Sequence, residues 1–385
     1  MEALMFTLIK NGEVYAPHPL GTQSILVCGG SIVQIGDIDE GELRGISNID
    51  VIDAAGMIVS PGIIDPHVHL IGGGGEGGFA TRTPEIQLSS IIRAGVTTVV
   101  GCLGTDGTTR HMASLLAKAR GLEEEGVTAY IYTGNYSVPT PTITGSVKDD
   151  VILIDKVVGA GEIAIADSRS AQPSTHEVAK LVAEARVGGL LSKKAGVTHF
   201  HVGIGTERLG MLRSLMKDYE IPPANIYATH VTRTQELFDE AVELSHAGAY
   251  VDITADEKTA EWIAYYKSNG GALSQLTVSS DGNGSLPVFD EKGEMVGFGV
   301  ATQEMLFNQV VQSVKHYGMD LSEALALVTS NTAKALRLGN KGHVKEGMDA
   351  DLIILDQETL DIKHVFAKGQ HMLSDQEIIV KGTFE

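Results

Sequence analysis

The chain has 385 residues, 43% apolar, 20% charged and 5% aromatic, and its 49 acidic against 29 basic residues leave a formal charge of −20. That apolar content excludes a mainly disordered chain, and the acidic surplus disfavours nucleic acid and anionic membrane surfaces as partners. No uncharged apolar run reaches the ~20 residues of a membrane span, no export leader is visible, and Cys28 and Cys102 are too few for a disulfide framework, so a soluble cytoplasmic enzyme is expected.

Residues 1–60 read as short strands at 6–9, 24–27, 32–35 and 51–53, with turns at Asn11-Gly12 and Gly29-Gly30. A period near two, punctuated by such turns, predicts a small antiparallel sheet. From 61 to 335 short apolar strands alternate with helices. The strands fall at 62–65, 96–100, 129–132, 163–166, 198–202, 226–229, 250–253 and 276–279, with helices near 110–124, 148–158, 175–187 and 235–246. Eight such units predict an α/β fold, a (β/α)8 barrel of the TIM type. An open doubly wound sheet is the rival, but no GxGxxG follows the first strand. Residues 336–385 return to strands, at 351–355, 364–367 and 378–380. Both termini are therefore expected to build one small β-sandwich domain beside a catalytic barrel.

In such a barrel, chemistry sits where the strands end. The strand ends here carry Asp65-Pro66-His67-Val68-His69, Gly101 to Thr105, Glu162 to Arg169, His199-Phe200-His201, Thr229-His230 and Ser279-Ser280-Asp281-Gly282. His67 and His69 are two apart on a strand, so their rings share a face. Alone, an HxH pair is a weak signal. Joined by His201, His230 and Asp281, it offers the neutral imidazoles and carboxylate that suit zinc, enough for two adjacent ions. His18, His111, His176, His246, His316, His343, His364 and His371 read as unrelated surface histidines. His199 reads as a core residue or a support for the ligands, because it shares a face with His201.

These residues carry a resemblance. PGIIDPHVHL, HFH, THVTR and SSDGNGS resemble the amidohydrolase superfamily of metal-dependent hydrolases. Within it, HVHLIGGGGEGG, TRTPE, GVTTVVGCLGTDG, YSVPTPTITGSV, SRSAQP, EARVGGLL and VKGTFE are similar to the isoaspartyl dipeptidases, over nearly the whole chain. The resemblance implies a metal-dependent dipeptidase that hydrolyses β-aspartyl dipeptides with two zinc ions per subunit. It implies a homo-oligomer, up to an octamer. His67 and His69 would hold one zinc, His201 and His230 the other, with Asp281 as a ligand of the first and as proton carrier. The family's usual bridge is a carboxylated lysine, and here that position falls on Glu162. Lys156 lies upstream, expected on the preceding helix. Glu76 would take the substrate's free α-amino group and Arg169 and Arg233 its carboxylates. Gly74, Thr105 and Ser285 would bond the aspartyl moiety, and Tyr136 would polarise the scissile carbonyl. Dihydroorotase-like or hydantoinase-like hydrolysis of a cyclic amide stays open as an alternative, as does a non-catalytic scaffold of the same fold.

Overall fold

In the computed structural model, which describes residues 6–45, 49–289 and 295–385, the chain enters through five strands. These are β1 (Phe6–Tyr15), β2 (Pro19–Cys28), β3 (Ser31–Gly36), β4 (Ile49–Asp53) and β5 (Met57–Pro61). β1 pairs antiparallel with β2 but parallel with both β4 and β5, so the sheet is mixed where an antiparallel one was expected. Asn11-Gly12 is not a turn. It is a register shift inside β1, with Asn11 at φ 60°, placed where β1 changes its parallel partner from β4 (Phe6 to Lys10) to β5 (Glu13 and Val14). Asn tolerates that left-handed conformation better than most residues, which is why the same dipeptide serves hairpins and bulges.

The middle of the chain forms eight parallel strands in sequence order: β6 (Ile63–Val68), β7 (Val96–Gly101), β8 (Thr128–Thr133), β9 (Val157–Ile165), β10 (Val197–Val202), β11 (Ile226–Thr229), β12 (Tyr250–Thr254) and β13 (Leu276–Ser279). The first and last strands meet through the amide of His69, 2.9 Å from the carbonyl of Gly282, and through Asp65, which accepts from the amide of Ser280 at 3.1 Å. The fold is thus the (β/α)8 barrel read from the alternation. β10 shows how the sequence builds it: Phe200 and Val202 belong to the apolar layer under the helices, while Val197 packs with the separate cluster of Ile64, Val100, Tyr132, Tyr227 and Tyr250. Helix Ser330–Ala335 contributes Ala333 and Ala335 to that second cluster.

A hairpin, β14 (Ser285–Phe289) and β15 (Met295–Val300), follows the barrel, and then helices Glu304–Tyr317, Leu321–Val328 and Ser330–Ala335, none of which the strand pattern had marked. The chain ends in β16 (Leu352–Asp356), β17 (Ile362–Ala367), β18 (Gln370–Ser374) and β19 (Glu377–Ile378). β16 runs antiparallel to β5, which joins both ends of the chain in one nine-stranded sheet, as expected of the small sandwich domain. Ile9, Ile25, Ile32, Val59, Leu352 and Phe366 form its core.

Two boundaries differ from expectation. The helix expected to 158 is Val147–Leu153, and β9 begins at Val157 rather than 163. Lys156 is therefore on neither element. It lies below β9, ion-paired with Glu123 and 5.6 Å from the Tyr130 ring, at the end of the strand opposite Glu162. No helix of the described residues is long and apolar enough to cross a membrane.

Candidate active site

The floor of the barrel mouth is built by strand ends. Glu162 occupies its centre through an irregularity of β9. Thr198 of β10 pairs with Ala160, yet Phe200 pairs with Ile163, so two residues of β9, Gly161 and Glu162, face the single residue His199. Such a bulge resets the alternation by one residue and re-aims a side chain. Glycine is required at its first position: Gly161 has φ +146°, and a Cβ there would lie 2.8 Å from the Cβ of His199.

Glu162 is wholly buried and its two oxygens face different histidines. Oε1 lies 2.7 Å from His201 Nδ1 and 3.2 Å from His230 Nε2, whereas Oε2 lies 3.3 Å from His67 Nε2 and 4.0 Å from His69 Nε2. Asp281, two residues beyond β13, closes the group, with Oδ1 3.0 Å from His69 Nε2 and 3.4 Å from His67 Nε2. His230 and Asp281 both have left-handed backbones, φ 62° and 49°, uncommon for residues with a Cβ and concentrated at functional sites. Burial opposes ionisation of Glu162, but the charges of His67 and His201 outweigh it and hold its carboxyl well below the usual range. Asp281 is lowered in the same way by His67 and His69. Burial takes His230 the other way, down to about 3, assisted by the charge of His201.

The donor set fits a pair of divalent cations. His67 Nε2, Glu162 Oε2 and Asp281 Oδ1 are buried without a hydrogen bond, although buried polar atoms are nearly always paired. Two ligands about 2.1 Å from a tetrahedral ion stand roughly 3.4 Å apart, the spacing these atoms have. Three overlapping groups have ligand atoms within 4.8 Å of one another: His67, His69, Cys102 and Glu162; His67, His230 and Asp281; and Glu162, His201 and His230. Cys102 was not among the expected ligands. Its Sγ is 3.8 Å from His69 Nδ1, behind the ring. His199 is buried deeper, stacked on Tyr132 at 5.0 Å and edge-on to His67 at 4.8 Å. Of the eight histidines read as surface residues six are exposed, while His364 and His371 are half-buried and lie 3.2 Å apart on β17 and β18.

The rim is built by loops. Glu76 projects from the glycine run after β6, accepts from Thr105 Oγ1 at 2.7 Å and lies 3.5 Å from Arg169 Nη1. Gly74, at φ +73°, lies against Ser285, and a Cβ there would come within 2.6 Å of the serine Cβ. Tyr136 is buried, its hydroxyl 2.7 Å from His201 Nδ1, and burial pushes its phenol well up. Arg169 and Arg233 converge on a residue the sequence had placed in the strand end without a role. Asp167 Oδ2 lies 3.0 Å from Arg169 Nη2, 3.3 Å from Arg233 Nη1 and 3.1 Å from His201 Nε2. An acidic residue two before a rim arginine was the available signal. The structure thus brings all the expected residues to one mouth, in two tiers, a floor of imidazole and carboxylate under a rim of charged loops.

The mouth can be set beside known proteins. The chain is 42% identical to the beta-aspartyl dipeptidase of Fervidobacterium islandicum AW-1, solved in complex with a beta-Asp-Leu dipeptide, with a TM-score of 0.90 over 97% of this chain and 98% of that one. It is 26% identical to a dihydroorotase of Lactobacillus johnsonii across 92% of this chain and 90% of the relative. A D-hydantoinase from Thermus sp., 18% identical with a TM-score of 0.67 over 98% and 97% of the two chains, shares the fold. The model of the amidohydrolase family matches residues 58–382, and the chain belongs to that family.

Proposed function

We propose that the protein is a zinc-dependent hydrolase of β-aspartyl dipeptides. The observation that carries this reading is the pairing of charges on the rim: one carboxylate, Glu76, stands 3.5 Å from Arg169, with Arg233 held beside it through Asp167. A β-aspartyl dipeptide carries one ammonium and two carboxylates, so a seat for each sign suits it, whereas a cyclic amide without an amine leaves Glu76 unused. The likeness to the Fervidobacterium enzyme supports the same choice.

His67, His69 and Asp281 would hold one ion and His201 and His230 the other, with Glu162 spanning both. A pair of divalent ions, when bound, polarises the scissile carbonyl and brings the pKa of water to about 7. The chain's own groups do the rest. Glu76 binds the α-ammonium, Arg169 and Arg233 take carboxylates, and Gly74, Thr105 and Ser285 fix the aspartyl moiety, which holds the reacting atoms in register. Tyr136 Oη donates to the carbonyl oxygen as it gains charge. Asp281 accepts the proton of the attacking water on its carboxylate and returns it to the departing nitrogen, since an amide anion is too poor a leaving group. Glu162, anionic without CO2, would make such a bridge part of the sequence. We further propose that the chain divides at about residues 60 and 335, and that it works as a cytoplasmic homo-oligomer.

Purified protein should contain close to two zinc equivalents and hydrolyse β-Asp-Leu in preference to α-Asp-Leu and to dihydroorotate. Chelation should abolish turnover, and zinc restore it. Preference for dihydroorotate, or full activity after verified metal removal, would overturn the reading.

A further inference from the structure

The loop that carries Glu76 runs Ile71-Gly72-Gly73-Gly74-Gly75-Glu76, so almost none of its residues has a side chain with which to anchor itself. Glycine loses more conformational freedom on ordering than any other residue. The anchor comes from another loop. Arg110, 5% exposed, lies between β7 and helix Met112–Glu124 and reaches under the glycine run. Its Nε donates to the carbonyl of Ile71 at 3.2 Å, its Nη1 to Gly74 at 3.2 Å, and its Nη2 to Gly73 at 2.8 Å and to Thr83 at 3.3 Å. Asp106 Oδ2, in the same loop, stands 3.6 Å from Nη1 and 2.5 Å from Arg82, so one carboxylate is shared by two guanidinium groups. The same loop carries Thr105, whose hydroxyl touches Glu76. A planar fork with five donors can hold several carbonyls at fixed angles, which an ammonium cannot.

We propose that Arg110 is a positioning residue for substrate selection, fixing the glycine run so that Glu76 and Gly74 meet the α-ammonium and aspartyl backbone of the dipeptide. It touches no substrate itself. The inference rests on the reading of Glu76 as the ammonium seat.

The test compares wild type, Arg110→Lys, Arg110→Ala and Glu76→Gln on β-Asp-Leu and on its N-acetyl derivative, with zinc content measured for each. In Arg110→Lys the KM for β-Asp-Leu should rise about tenfold while kcat changes less than about threefold, the signature of lost binding rather than lost chemistry. Its preference for the free amine over the acetylated substrate should fall about tenfold, towards that of Glu76→Gln, with zinc unchanged. Low-millimolar guanidinium should restore part of the lost preference to Arg110→Ala and nothing to Glu76→Gln. Wild-type KM and preference in Arg110→Lys overturn the proposal, as does a parallel loss of kcat and zinc in that variant, which marks a merely structural residue. If Arg110→Ala does not fold, Arg110→Lys decides alone. Glu76→Gln separates the two failures: altered amine preference there with none in the Arg110 variants sinks the inference alone, and unaltered preference there sinks the ammonium seat and the inference with it.

Discussion

At the base of the barrel, where strands begin, Lys341 donates to Thr128 Oγ1 at 2.7 Å and to Asp351, and lies 2.8 Å from Asp349. Glu123 there takes both Lys156 and, at 3.0 Å, Lys368. At the mouth, where strands end, Glu162 and Asp281 each keep a buried oxygen without a hydrogen bond, and His67 has neither nitrogen paired. Both ends bury charge, but only the base satisfies it. Paired charges at the base tie the C-terminal segment to the barrel strands. Unpaired lone pairs at the mouth cost stability that a bound cation would offset. Charge at the base serves assembly, and charge at the mouth is left unpaired for the proposed metal site.

The contrast can be broken at either end. The largest effect is expected from Glu162→Gln, because a neutral amide could not offset the two dications proposed for this buried site. Zinc content should drop below half of wild type, and kcat/KM should fall about 1,000-fold or more, some 4 kcal/mol. Reconstitution of the wild-type apoprotein with zinc should proceed equally with bicarbonate removed or supplied. A bicarbonate requirement would point to a carboxylated lysine instead.

At the base, Lys341→Met leaves Asp351 without its cation and should cost about 3 kcal/mol of stability in urea titrations, with kcat/KM unchanged. Burial by itself would lower the Lys341 pKa, but Asp351 and Asp349 hold it above 10.5. A raised pKa stabilises the fold fully below the unfolded value and loses that contribution only as pH rises through the folded one. The stability difference between wild type and variant should therefore be flat across neutral pH and shrink only in strong alkali. A difference that vanished near neutrality would break the assignment.

Back at the mouth, Tyr136→Phe should lower kcat about 100-fold, as loss of one donor to a developing oxyanion does, with zinc content and KM close to wild type. Glu76→Gln should have the smallest effect of the three mouth substitutions, about 30-fold in kcat/KM, because the rim is half-open to solvent. Metal content should not change. A larger loss at Glu76 than at Glu162 would invert the two tiers.

Most of the floor was legible because strands repeat every two residues. Once β10 is known to be a barrel strand, His201 must share a face with His199, and HxH at the end of β6 must present two rings together. Glu162 was marked only by the resemblance, as the position of the family's bridging lysine, and its inward aim was not legible, since it depends on the bulge opposite His199. Asn11-Gly12 misled for a related reason: the dipeptide specifies a left-handed residue, and only the partner strands decide whether that makes a turn or a shift. Asp167 was legible only through its spacing from Arg169, while its contacts with His201 and Arg233 were not, and Arg110 was invisible as a functional residue. The carbonyls that Arg110 holds are those of Ile71, Gly73, Gly74 and Thr83, far away in sequence, and nothing local marks an arginine as buried.

The sequence by itself determined the eight-unit barrel, the two β-rich ends and the residue types at the strand ends, because periodicity and local turn chemistry are written in neighbouring residues. Tertiary structure decided which oxygen of Glu162 faces which histidine, how β1 divides between β4 and β5, and how a run of glycines is held still. These depend on register between distant strands and on contacts such as Arg110 with Gly73, and a one-residue shift in either changes which side chains meet.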